Sequence, residues 1–194
     1  MKWLRIASYL GLAAVLALTG CSILSPQPLS ARDLSKVVLK SSEVSPGFTG
    51  SGSSSGMMVE SMKSMAQSAH IAASYEINYS VPNNSSAGMY ISDILVFGSE
   101  AEANQVYNLW IKESAASGFS APGSPMETIG DESTTQLLVR QNTSTGADYN
   151  KGAGVLWRYK EALGFLYQEG ASNTPVDLAH FMSLAKTVQG RLAG

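Results

Sequence analysis

The N-terminal segment, residues 1–21, constrains the chain more than any other stretch. Lys2 and Arg5 form a short basic start, the run from Ile6 to Leu18 has no charged residue, and Leu18-Thr19-Gly20-Cys21 follows. A basic start, an apolar run too short to span a bilayer and small residues at the end are typical of a secretory signal peptide. We therefore predict a signal peptide over residues 1–20, with cleavage between Gly20 and Cys21.

The end of this segment resembles the lipobox of bacterial lipoproteins, in which the cysteine of Leu-x-Gly-Cys is diacylated and the chain is cut just before it. Cys21 is the only cysteine in the chain. The resemblance implies that Cys21 is lipidated and that its acyl chains hold the protein on the extracytoplasmic face of the cell membrane, where two chains bind firmly and one does not. The alternative is an ordinary signal peptide with a cysteine at this place by chance.

The charge of the mature chain narrows the classes of function. Removing residues 1–20 leaves 174 of 194 residues, enough for one domain with a sizeable core. The segment carries two of the 13 Lys and Arg and none of the 15 Asp and Glu, so 11 basic and 15 acidic residues remain, a formal charge of −4. This acidic balance argues against a nucleic-acid partner. With Cys21 lipidated, no disulfide can form within the chain.

The sequence divides into three parts after these considerations. Residues 1–20 are the signal peptide, residues 21–32 are the lipidated cysteine and a tether with prolines at Pro26 and Pro28, and residues 33–194 are a single extracytoplasmic domain. Within the domain, Gly50–Gly56 is low in complexity and is expected to be mobile. We expect no cofactor.

Hydrophobic periodicity predicts the elements of this domain. Residues 71–81 alternate, with Glu76 on the polar side, and residues 89–97 are apolar on both faces, which indicates a central strand. Asp93 is the odd residue there, either a functional group or a paired or strand-edge carboxylate. Ser99-Glu100-Ala101-Glu102 is a capping box that begins a helix, and a closing helix is predicted to begin at Thr174-Pro175. Residues 134–143 and a hairpin over residues 154–170 supply further strands.

This order of elements predicts an α+β fold. Hairpin links favour an antiparallel or mixed sheet of about five strands, and we expect the helices to pack on one face.

Several residues could carry chemistry, and each also has a structural interpretation. Gly52-Ser53-Ser54-Ser55-Gly56 matches the G-x-S-x-G nucleophile elbow, but a strand should precede that motif and the preceding residues are rich in Gly and Ser. Met58, Met62 and Met65, with His70 beyond, could bind Cu(I), although this spacing is typical of an adaptable core helix.

Two further pairs of residues also have both a functional and a structural interpretation. Asp131 and Glu132 could serve acid–base or metal chemistry, but neighbours in a strand point to opposite faces, which favours a turn. Trp110 and Tyr107 could line a ligand pocket, or pack on the sheet as a core stripe. His180 lies off the apolar stripe of the closing helix and is expected to be solvated.

Three segments together resemble bacterial sensor-domain lipoproteins, which are similar to the extracellular domain of PknH-type Ser/Thr kinases. Residues 39–49 resemble the opening motif of that group, Phe97–Ala103 its step from strand to helix, and residues 129–133 followed by 155–159 its turn and hairpin. The resemblance implies a compact α+β envelope domain that binds a ligand or partner without established catalysis. The kinase domain is stapled by disulfides and this chain has no spare cysteine, so no binding residue is carried over.

The leading hypothesis is therefore a membrane-anchored lipoprotein that acts as a non-enzymatic, sensor-like binding module of the cell envelope. Its partner would be an envelope protein or a small ligand, contacted through Gly50–Met58 or through the polar loop Thr143–Gly154. The alternatives are a carrier that holds an apolar ligand between the sheet and the helix bearing Trp110, and an envelope hydrolase.

Overall fold

A computed structural model describes residues 27–65, 67–115, 120–122, 126–141, 145–171 and 174–194, so the predicted signal peptide and Cys21 lie outside the described residues. Within these ranges the strands are β1 (Thr49–Ser53), β2 (Ile71–Ser80), β3 (Met89–Phe97), β4 (Glu132–Gln141), β5 (Asp148–Tyr159) and β6 (Ala162–Glu169). The α-helices are α1 (Met57–Met65), α2 (Glu100–Ala115) and α3 (Leu178–Ala193). Short 3₁₀ turns lie at Leu29–Ala31, Leu34–Lys36 and Ser85–Ala87. None of the helices in the described ranges has both the length and the hydrophobicity that crossing a membrane requires.

The strands form one six-stranded sheet in the order β1-β2-β3-β6-β5-β4, and all neighbours are antiparallel. The α+β prediction is confirmed, and β3 is central as expected. The estimate of about five strands missed β1, because Gly50–Ser53 is paired with β2 in the segment that was expected to be mobile. A Cβ at Gly50 would lie only 2.5 Å from the ring of Tyr79, so glycine lets that ring lie against the strand.

The prediction that the helices pack on one face is wrong. Val59 and Met62 of α1 and Val106 of α2 cluster with Leu95 and other residues on one face of the sheet. The other face is covered by α3 and by residues 29–44, which cluster with Ile94, Val96 and Trp157. A central strand with apolar side chains on both faces needs a covering layer on each, and this is what β3 has.

The two long helices begin at side-chain caps. The backbone N–H of Glu102 donates to the Oγ of Ser99 at 3.3 Å, which is the serine half of the predicted capping box, and the Ser99 hydroxyl donates in turn to Glu102 Oε2 at 3.2 Å. The closing helix begins later than expected, since residues 174–177 are not helical and Asp177 is the N-cap. Asp177 Oδ1 accepts from the backbone N–H groups of Ala179 and His180 at 3.0 and 3.1 Å. A side-chain acceptor at this place satisfies helix donors that would otherwise have no partner.

Trp157 anchors the core on the α3 side of the sheet. Its side chain is completely buried, and its Nε1–H donates to Oε1 of Gln189 on α3 at 2.7 Å. The β5–β6 hairpin turns at Lys160 and Glu161, within the hairpin predicted over residues 154–170, and Lys160 has φ +53°. The predicted polar loop Thr143–Gly154 is shorter than expected, because its residues from Asp148 onward belong to β5 and Thr143 lies outside the described residues.

Candidate functional site

Two carboxyl groups are buried next to each other beneath α1. Asp93, in the middle of β3, is completely buried, and Glu76 of β2 is only 2 % exposed. The register places Glu76 directly opposite Asp93. Side chains alternate along a strand, so both point to the face that carries Leu95 and is covered by α1 and α2. Directly opposite residues in an antiparallel pair have Cβ atoms about 4.5–5.5 Å apart, so the two carboxyl groups are neighbours.

Glu76 is held by contacts that stabilise negative charge. The Nδ2 of Asn78 donates to Glu76 Oε1 at 2.6 Å. The same carboxyl group packs against Gly56 so closely that a Cβ at Gly56 would overlap it. Gly56 also begins α1, because its carbonyl accepts from the N–H of Glu60 at 3.2 Å. The N-terminal end of a helix carries partial positive charge, which favours a carboxylate placed there.

Asp93 has no comparable partner. Neither of its carboxyl oxygens has a hydrogen bond with any described residue, although both are sealed from solvent. Burial, and after it the negative charge of Glu76, raise the pKa of Asp93 to about 8. The backbone N–H of Ile94 acts in the opposite direction and lowers the pKa, as the smallest of the three influences. At neutral pH Asp93 therefore keeps its proton.

Asp93 is thus a protonated acid next to a second carboxyl group, and solvent reaches neither of them. Asp93 lies in the middle of β3 and, among the described residues, its carboxyl group has no hydrogen-bond partner, so its interpretation as a paired or strand-edge carboxylate was wrong. Glu76 does lie on the same side of β2 as Ser74 and Asn78, as predicted, but it is buried and not exposed to solvent.

The sequence held a signal for this pair. A hairpin between the strands predicted over residues 71–81 and 89–97 brings Glu76 to within one residue of the position opposite Asp93. Two acidic residues that a hairpin places opposite each other, one of them in a strand apolar on both faces, indicate a buried carboxyl pair.

A polar cluster lies beside the pair, toward the end of the sheet where β3 begins and β6 ends. Tyr167 pairs with Ile91, two residues from Asp93, and its hydroxyl donates to Glu169 Oε2 at 3.4 Å. Burial, and after it the charge of Glu169, raise the pKa of Tyr167 to about 12. Lys151 Nζ lies 3.2 Å from Glu169 Oε1 and donates to the carbonyl of Gly170 at 2.6 Å. The tyrosine therefore remains neutral and the lysine is already paired.

The G-x-S-x-G segment does lie between a strand and a helix, contrary to the expectation that no strand precedes it. β1 comes before Ser54 and α1 after it. Ser54 nevertheless lacks the strained left-handed backbone of a nucleophile elbow, and its side chain is exposed. His180 is exposed on α3, as predicted, and His70 lies beside Gly98, where its backbone N–H donates to Glu102. No base is therefore hydrogen-bonded to Ser54 within the described residues.

The methionine stripe is only partly described. Met62 is 1 % exposed and packs in the core between α1, α2 and the sheet, as expected for a core helix. The side chains of Met58 and Met65 lie outside the described residues. In the part of the chain that the structure describes, no three His, Cys, Asp or Glu side chains are grouped to hold a metal ion.

Asp131 and Glu132 lie at a turn and at the start of β4, as the structural interpretation predicted. Both bind Arg158 of β5: its Nε is 2.5 Å from Glu132 Oε1 and its Nη1 is 3.3 Å from Asp131 Oδ2. The backbone N–H of Lys160 donates to the same Asp131 oxygen at 2.8 Å. These acidic groups therefore stabilise the β5–β6 turn.

Trp110 packs on the sheet, with its ring edge-on to Phe165 at 5.8 Å between centroids. Two cavities in the described region, of about 750 and 430 Å³, are open surface grooves. The larger lies between residues 27–37 and the end of α3, and the smaller lies around the β2–β3 connection. Neither lies between the sheet and α2, where the carrier hypothesis places its ligand.

The Cys21 lipidation site and the Gly20–Cys21 cleavage site lie outside the described residues, so they stay predictions. No protein-family profile matches the sequence. No curated protein matches it either.

Among solved structures, the chain is similar to the extracellular domain of PknH from Mycobacterium tuberculosis, with a TM-score of 0.62. The match covers 87 % of this chain and 99 % of that chain, with 11 % sequence identity. At this identity the likeness shows the fold alone. The resemblance predicted from three short segments is confirmed at that level.

Proposed function

We propose that this chain is a membrane-anchored bacterial lipoprotein whose α+β domain is a non-enzymatic, sensor-like binding module outside the cytoplasm. The observation that carries the proposal is the fold, which is similar to that of the PknH extracellular domain over 99 % of that domain. The Leu-Thr-Gly-Cys ending of residues 18–21 supports the anchor. A fold by itself does not determine a function. The kind of ligand or partner therefore has to be inferred from the surfaces of this domain.

The strongest surface candidate is the corner of the sheet made by β1 and the start of α1, next to the buried carboxyl pair. It includes Gly50–Met58, one of the two segments that the sequence analysis assigned to recognition. The partner is an envelope protein or a small ligand, and it would be recognised by exposed backbone and hydroxyl groups rather than by a deep apolar pocket.

The anchor is tested by membrane fractionation. A tagged full-length chain, its Cys21→Ser variant and a matched Ser22→Ala variant are produced in a bacterial host and labelled with a palmitate analogue. The wild type and Ser22→Ala should be labelled and found with the membranes, whereas Cys21→Ser should be unlabelled and either released or uncleaved. If Cys21→Ser is still matured and membrane-bound, the lipobox interpretation is wrong.

Binding is tested by native mass spectrometry of the mature protein, extracted from membranes with a mild detergent, and by chemical crosslinking in intact cells. A reproducible crosslink to one envelope protein, or a bound small polar molecule, would support the binding module. A retained lipid would instead support the carrier. Turnover of an ester or peptide substrate that is abolished by Ser54→Ala would support the hydrolase.

A further inference from the structure

The two edges of the sheet are protected to different degrees. The outer edge of β4 is partly covered, because Ser120 forms a bridge to Leu137 with hydrogen bonds of 2.9 and 2.7 Å, and the strand carries charged residues. β1 is the opposite edge strand, and within the described residues it pairs only with β2. All five of its residues are exposed. Natural edge strands are usually blunted by charge, proline or a bulge, and Thr49-Gly50-Ser51-Gly52-Ser53 has no charge and no proline.

The sequence of β1 is complementary to itself. When two copies run antiparallel about Ser51, Ser51 meets Ser51, Gly50 meets Gly52 and Thr49 meets Ser53. Hydroxyl side chains then face one another on one side of the sheet and glycines on the other. Alternate residues of a strand direct both backbone groups outward, so this register makes about four to six backbone hydrogen bonds.

The glycine side of β1 is already shaped for this pairing. The rings of Tyr79 and Tyr75 in β2 lie against Gly50 and Gly52, where added side chains would overlap them. In the self-paired register a glycine of the second copy lies next to each of these positions. No side chain of the second strand therefore meets the tyrosine rings.

The symmetry of this pairing also agrees with a common membrane anchor. Two antiparallel strands in one continuous sheet are related by a two-fold axis perpendicular to the sheet, so the same face of both copies points the same way. Residues 29–44 pack with α3 on one face. The tethers of both copies would therefore leave from the same side, as two chains anchored in one membrane require.

From these observations we propose that β1 is a homotypic docking edge, through which a second copy of this chain adds antiparallel about Ser51 to make a continuous twelve-stranded sheet. The proposal goes beyond the binding function above, and its membrane argument rests on the proposed lipid anchor. An edge strand of five residues makes only a small contact, so two copies that are free in solution would pair weakly. Anchoring both copies in one membrane raises their effective concentration and favours the pair.

Disulfide crosslinking in native membranes tests the register. Residues that face each other in antiparallel strands have Cα atoms about 4.5–5.5 Å apart, within the range a disulfide spans. The full-length Ser51→Cys variant should therefore form a disulfide dimer with copper phenanthroline. Ser53→Cys is the matched control, because four residues of strand place its two copies about 13 Å apart, too far for a disulfide. The wild type controls for Cys21.

We expect at least five times more dimer from Ser51→Cys than from Ser53→Cys, and none from the wild type. A Thr49→Cys, Ser53→Cys double variant should form dimers that neither single variant forms. Equal crosslinking of Ser51→Cys and Ser53→Cys would indicate random collision and overturn the proposal. A disulfide between Ser51→Cys and a different protein, or no dimer at membrane levels equal to those of the wild type, would overturn it as well.

Discussion

Replacing Asp93 by asparagine is expected to stabilise the protein at neutral and alkaline pH and to remove much of the pH dependence of its stability. The pKa of Asp93 rises from 3.8 to about 8 in the folded chain, chiefly through burial and then through the charge of Glu76. Below pH 4 the group is protonated in both the folded and the unfolded state. Between pH 4 and 8 only the unfolded state releases the proton, so the free energy of unfolding falls as the pH rises, and above pH 8 this contribution stays constant.

The size of the effect follows from the distance between the two pKa values. Each pH unit between them lowers the free energy of unfolding by about 1.4 kcal/mol. From 3.8 to about 8, roughly four pH units, the loss is therefore about 5–6 kcal/mol. Domains of this size have free energies of unfolding of about 5–15 kcal/mol, so one carboxyl group removes a large fraction of the stability available at low pH.

Urea unfolding followed by tryptophan fluorescence from pH 4 to pH 9 measures this effect. Asparagine has nearly the shape of the protonated acid and cannot ionise, so wild type and Asp93→Asn should differ by about 1 kcal/mol or less at pH 4. The variant should be more stable by several kcal/mol at pH 8.5. Asp148→Asn, the same change at an exposed residue of β5, is the control and should follow the wild type. If Asp93→Asn and the wild type lose stability in parallel between pH 4 and 8, Asp93 does not keep its proton in the folded state.

Two further substitutions test the packing of the two faces. Gly50→Ala should lower the free energy of unfolding by about 1–3 kcal/mol, because the added Cβ meets the buried ring of Tyr79. The neighbouring Ser51→Ala should leave the free energy of unfolding unchanged in the same urea titration. An equal loss in both variants would show that contact with the ring is not the cause. Gln189→Ala should cost about 1 kcal/mol by leaving the indole N–H of Trp157 without its acceptor, whereas Gln189→Glu retains an acceptor and should lose less; equal losses would refute this role of the hydrogen bond.

Hydrophobic periodicity predicted the strands and helices that have a regular pattern of apolar and polar residues in their own sequence. Strands β2 and β3 and helices α2 and α3 carry their burial pattern in the sequence, and Phe181 and Val188 of α3 are buried as the stripe predicts. β1 has no such pattern in its sequence. It forms a strand because it pairs with β2. Its glycines are required by the tyrosines of β2, which lie more than twenty residues away in the sequence.

The distribution of the helices was predicted wrongly for a related reason. Hairpin connections determine which strands are neighbours but not the side of the sheet to which a helix returns. The information lay in β3, where Ile94 and Val96 point to one face and Leu95 and Phe97 to the other. A strand that is apolar on both sides cannot leave one of them to solvent.

The residues that sequence reasoning placed wrongly lie together. Ser53 of β1 pairs with Glu76, and Glu76 pairs with Asp93, so one row of side chains crosses three neighbouring strands. Along this row the edge strand has no protecting charge or proline, and the interior holds two acidic groups, one of which has no hydrogen bond within the described part of the chain. Neither feature stabilises the fold, since an apolar residue at Asp93 would avoid burying the carboxyl group and a charged residue in β1 would protect the edge. Local rules of folding are most often broken where a protein binds or reacts, so this corner of the sheet is where the partner of the domain should be sought.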